Sequence, residues 1–90
     1  MRALAWKVAD APAAILPHLA ALLTEHPALA GEAGTRFALL FGEHCEAAAA
    51  AVAPLPAPTR EAFAAALEKH LLRVHAVKRW VACRRLLLGR

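Results

Sequence analysis

Residues 60–88 read REAFAAALEKHLLRVHAVKRWVACRRLLL, a run rich in alanine and leucine with no proline or glycine. Alanine and leucine are strong helix formers, and nothing inside the run stops a helix. The spacing therefore predicts one continuous helix from about residue 60 to residue 88, with Gly89 as its stop. At about 100° per residue its apolar side chains fall on two arcs. One holds Phe63, Leu67, His70, Val74, Val77, Val81 and Leu88; the other holds Leu72, Ala76, Trp80, Cys83 and Leu87. A helix that is apolar on two sides is either buried between neighbours or shared with a partner. In a small bundle only one side is filled internally, so Leu72, Ala76, Trp80, Cys83 and Leu87 form the expected partner-binding strip.

Upstream of this run, Pro54-Leu55-Pro56-Ala57-Pro58 cannot continue a helix and marks a linker over residues 54–58. Thr59, just after it, is the expected N-cap of the long helix. A second helix is expected over residues 35–53, capped by Thr35, with Phe37, Leu40, Phe41, His44, Ala48, Ala51 and Val52 on its apolar arc. Residues 27–34 read as a connector with room for one helical turn. The first helix is expected over residues 12–26, entered through Asp10 and Pro12 and ended by His26-Pro27, because the residue before proline is pushed out of the α region. Its inward arc is Ile15, Leu19, Leu22, Leu23 and His26, and Pro17 either kinks it or begins it. Over residues 2–8, Leu4, Trp6 and Val8 alternate, which suits a helical turn or an extended arm. Together these segments predict a single all-α domain over residues 1–90. It is a three-helix bundle with a long C-terminal helix, or a four-helix one if the N-terminal turn or the connector is helical.

Composition agrees with that class. The chain is 60% hydrophobic with mean hydropathy +0.44, and much of this is alanine. It has no tyrosine and few β-branched residues, which disfavours strands. The remaining leucine, valine, phenylalanine and tryptophan exceed what three short helices hide readily, so a protein partner or a homo-oligomer is expected to cover part of it. No uncharged apolar run reaches the roughly 18 residues of a membrane-spanning helix. Lys7 and Asp10 interrupt the N-terminal apolar stretch, making a poor secretory signal. Two cysteines, Cys45 and Cys83, without a C-x-x-C pair point to a reducing, cytoplasmic location.

Charge is the most uneven property of the chain. From residue 69 onward there are seven basic residues, Lys69, Arg73, Lys78, Arg79, Arg84, Arg85 and Arg90, and no acidic one. Residues 1–68 carry a deficit of three, so the net +4 is concentrated in the C-terminal quarter. Such a block suits nucleic acid or an acidic protein surface. Its cations are scattered around the helix rather than gathered on one face, which argues against an interfacial membrane helix. Cations near a helix C-terminus also complement its dipole, by about 0.3–1 kcal/mol each.

Chemistry-bearing residues are sparse. No two of His18, His26, His44, His70 and His75 have the i, i+3 or i, i+4 spacing that puts two ligands on one helix face. A metal site would have to draw on different helices, with His26, His44 and His70 as its core-facing candidates. Cys83 precedes Arg84 and Arg85, which would lower its pKa if it were exposed. There is no serine, a single aspartate, and no glycine-rich phosphate loop around Gly31 and Gly34. No enzyme activity, cofactor or metal is expected. The expected function is that of a small non-catalytic accessory or adaptor subunit docking through the apolar and basic C-terminal helix. The alternative is sequence-independent binding of RNA or DNA by Lys69, Arg73, Lys78, Arg79, Arg84 and Arg85.

Overall fold

Proline divides the chain at two of the expected places. The computed structural model describes residues 12–90; the arm expected over residues 2–8 and the Asp10 cap lie outside the described residues. The first helix, α1, spans Pro12–Glu25 and runs through Pro17 rather than starting there. His26-Pro27 ends it and a short 3-10 turn follows, Pro27–Leu29. The linker around Pro54 and Pro56 separates α3, Cys45–Val52, from α4, Ala57–Arg73. With α2, Ala30–Phe41, and α5, Val77–Leu88, the described residues form five α-helices and no strand. The fold is all-α, as expected, with five helices among the described residues where three or four were expected.

Two expected helices are each broken in two. The second starts at Ala30 rather than Thr35, so Thr35 is not a cap: it sits inside α2 and its hydroxyl donates back to the Gly31 carbonyl at 3.1 Å. That helix then bends at Phe41 (φ −136°, ψ 44°) into a 3-10 turn, Gly42–His44, before α3 begins. The bend has a packing cause. Its two halves serve different neighbours, α2 lying mainly on α4 and α3 on α5 and α1. Thr59 is likewise buried inside the first turn of α4, whose N-cap is Pro56.

The long C-terminal helix is corrected most. It stops at Arg73 and restarts at Val77, because His75 takes a left-handed conformation, φ 61°. The backbone bonds around it are those of a Schellman turn: the Ala76 N–H donates to the Leu71 carbonyl at 2.8 Å and the His75 N–H to that of Leu72 at 3.2 Å. Two carbonyls that the end of a helix leaves open are thereby satisfied, and the chain folds back so that α5 packs along α4. The far end of this hairpin is tied by Arg60. Its Nε donates to the Leu55 carbonyl and its Nη1 to the Leu87 carbonyl, both at 2.9 Å. Gly89 ends α5 in the left-handed region (φ 72°), as its place after the last leucine suggested.

The α4–α5 hairpin is the middle of the molecule, flanked by α2 on one side and α3 on the other, with α1 against α3. The shortest extent of the fold is 18 Å, enough for two helix layers at the usual spacing of roughly 8–10 Å. Close approach is made possible by small residues. Ala30, Ala33, Gly34 and Ala38 are all buried on α2. A Cβ placed on Gly34 would lie 2.8 Å from the Ala66 Cβ and 3.0 Å from the Phe63 carbonyl oxygen. The larger side chains of this core are Phe37, Phe63, Leu19, Leu23, Leu67 and Leu71. Phe37 and Phe41 stack at a tilt, with ring centroids 5.2 Å apart.

Gly34→Ala is expected to lower the unfolding free energy by about 1–2 kcal/mol, since the overlap outweighs the roughly 1 kcal/mol that alanine gains in helix propensity. Gly31, in the same helix, has open space where its Cβ would go. There the change to alanine should raise stability by about 0.4–1 kcal/mol. Urea unfolding of the two variants therefore gives shifts of opposite sign. His75→Gly should raise the urea midpoint, by about 0.5–1 kcal/mol in free energy, because it relieves a left-handed L-residue. His75→Val should lower it.

Candidate functional site

Reversal of the chain at His75 decides which side of α5 meets solvent. Trp80 is 6% exposed, and Cys83 and Leu87 are fully buried. Ala76 is half-buried against the core. Leu72 is exposed and belongs to α4 rather than α5. The strip expected to bind a partner is thus mostly the inward face of α5. Its apparent second arc arises because residues 60–88 belong to two helices, each apolar on one side. On the other arc Phe63 and Leu67 are buried, whereas Val74 and Val77 are 52% and 54% exposed.

The cations divide in two. Lys69, Arg73, Lys78 and Arg85 are exposed. Arg79 and Arg84 are half-buried. Arg79 Nε lies 3.9 Å from Glu46 Oε1, a loose ion pair between α5 and α3. Arg84 Nε is buried without a hydrogen-bond partner, beside a groove of about 590 Å³ between α4 and α5. Glu61, Glu68, Trp80, Leu88 and Arg90 line the same groove. Its two carboxylates offset its two guanidinium groups, and no nucleophile faces it. Leu39 stands 63% exposed on α2, beside Arg36 and Glu32.

The thiols are not reactive groups in this fold. Cys45 and Cys83 are both buried, and no disulfide joins them. Burial pushes the Cys45 thiol up to about 11 against the lowering effect of Arg79, with Glu46 adding to the rise. Burial pushes Cys83 up to about 12, with Cys45 and Glu46 adding to it and Arg79 opposing. Arg84 and Arg85, adjacent in sequence, are not among the causes of its shift; Cys83 is fully buried, so the exposure on which its activation depended is not met.

The histidines do not converge. His26 and His44 are exposed rather than core-facing, and His70 is half-buried next to Gly42. Among the described residues no three His, Cys, Asp or Glu side chains stand close enough to hold a metal ion. No described helix is long and apolar enough to cross a membrane.

Sequence reasoning missed His75 and the two valines beside it. Histidine is among the residues enriched at positive φ, and the shift of the apolar arc between residues 71 and 80 was the other trace of the break. No protein-family model matches the chain, and neither the curated proteins nor the solved structures provide a match.

Both thiol values bear on stability against pH. Each folded-state pKa lies above the unfolded value of 9.0. Their contribution is therefore complete below pH 9 and is lost as the pH rises toward 11 and 12. Urea unfolding repeated across this range should show a flat midpoint near neutrality and a falling one above pH 9. At pH 8, an aromatic disulfide reagent should modify both thiols within mixing time in denaturant but only at the opening rate in the folded protein.

Proposed function

We propose that the chain is a non-catalytic helical adaptor, docking into a larger assembly through the basic outer surface of the α4–α5 hairpin. The observation that carries this reading is the set Lys69, Arg73, Lys78 and Arg85. All four are exposed, and no carboxylate of the described residues forms an ion pair with them. Four unneutralised cations on one hairpin make a field that a partner of opposite sign completes. The non-catalytic part rests on the chemistry inside the fold: two protonated, buried thiols, scattered histidines, and a groove without a nucleophile. A cytoplasmic setting belongs to the same reading, on the two cysteines and the lack of a C-x-x-C pair in the sequence.

The second reading, nucleic-acid binding without sequence preference, draws on the same four side chains. It has less support from Arg79 and Arg84, whose half-buried guanidinium groups are held back toward the fold. Salt separates the two readings. If the four exposed cations meet phosphates, the affinity for a single-stranded oligonucleotide should fall with a log–log salt slope of about −3 on the usual −0.7 per contact.

The test is isolation of the native protein with whatever accompanies it, beside the triple variant Lys69→Glu/Arg73→Glu/Lys78→Glu. An adaptor should bring down a protein at fixed ratio with a protein-like 260/280 nm absorbance. The variant should lose that protein while keeping its helical circular dichroism and urea midpoint. A monodisperse monomer with no companion rejects the proposal, and a nucleic-acid-like absorbance with a steep salt slope transfers the hairpin to the second reading.

A further inference from the structure

At the tip of the hairpin the chain forgoes stability in two independent ways. Leu72, Val74 and Val77, three aliphatic residues within one reverse turn, are each about half exposed. Between the valines sits His75, a side-chain-bearing residue held at φ 61°, a conformation that glycine takes without the clash of a Cβ. Single exposed aliphatics are ordinary on protein surfaces. Here three lie within six residues around a strained one, and local strain of this kind collects at working surfaces.

Charge surrounds these residues. Lys69, Leu72 and Arg73 share one side of the last turns of α4, by their spacings of three and four. Lys78 follows Val77 at the start of α5, and no acidic residue occurs beyond Glu68. An apolar centre with a cationic rim is the anatomy of a protein interface, and its complement carries aliphatic side chains flanked by carboxylates. A phosphate backbone would meet the cations but leave the three aliphatics uncovered. A membrane would take side chains that stand clear of the fold or aromatic anchors at its interface. Here about half of each aliphatic is already covered, and none is aromatic.

We propose that the α4–α5 corner, Leu72, Val74 and Val77 within Lys69, Arg73 and Lys78, is a docking site for an acidic, apolar-faced helical segment of another protein. This inference rests on the adaptor reading and names the partner's chemistry.

The probe is a synthetic glutamate-rich peptide with leucines at i, i+3, i+4 and i+7, titrated into the isotope-labelled chain and followed by amide chemical shifts. Its controls are a scrambled peptide of equal composition, polyglutamate, vesicles of mixed neutral and anionic phospholipid, and a single-stranded oligonucleotide. The ordered peptide should move the resonances of residues 69–78 and bind about tenfold tighter than the scrambled one, the margin of one buried contact cluster. Val74→Ser/Val77→Ser, both at exposed positions, should erase that preference without lowering the urea midpoint. Equal binding of the scrambled peptide or polyglutamate overturns the inference, as does preferred engagement of vesicles or oligonucleotide, or an unaltered affinity in the double-serine variant. The companion isolated with the native protein keeps the two proposals apart. If the serine variant retains it and the charge-reversed variant loses it, the corner fails and the adaptor stands; if both variants retain it, both fail.

Discussion

The core exists in its present form because the backbone turns back on itself at His75. Without that left-handed residue α4 would run on, Trp80, Cys83 and Leu87 would have no neighbours from α3, and the buried side of α5 would face water. The turn is stabilised by two backbone bonds from Ala76 and His75 to the carbonyls of Leu71 and Leu72. Its position sets which apolar side chains of the C-terminal third lie inside. The second requirement is the close approach of α2 to α4 at Gly34, where Ala66 and the Phe63 carbonyl leave no room for a side chain. Hairpin and crossing together place α4 between α2 and α5, while α3 and α1 are added on the α5 side.

Much of the architecture was legible in the residues. Alanine-rich runs without β-branched alternation specify helices. The prolines at 27, 54 and 56 end segments where they stand, and Gly89 stops α5. The inward side of α1 could be read from Ile15, Leu19 and Leu23. The break at His75 was not legible, because no proline or glycine stands there; at the other break Gly42 follows Phe41 and opens the 3-10 turn, but a single glycine does not by itself end a helix. Their cause is tertiary: each joins two segments that pack on different neighbours, and local propensity contains no information about that.

For the surface, lysines were easier to place than arginines. Lys69 and Lys78 both stand in solvent, whereas the arginines divide: Arg73 and Arg85 are exposed, Arg79 is drawn toward Glu46 and Arg84 lies against the groove. Trp80 illustrates the opposite error. An aromatic within a basic stretch invites a binding role, but a large apolar side chain on a helix that packs on both α3 and α4 is more valuable inside. A pattern of two apolar faces on one long helix therefore has two physical origins, a shared surface or an unseen turn. Exposed Val74 and Val77 at the junction distinguish them.

Arg60 connects parts of the chain 27 residues apart. One planar side chain holds a carbonyl of the proline connector and a carbonyl of the last turn of α5. Loosening of either segment therefore removes a partner from the other. Fraying at the C-terminal end and release of the connector become one cooperative opening rather than two. Amide hydrogens at both places would then exchange with deuterium on a common clock, although no backbone contact is needed to set it.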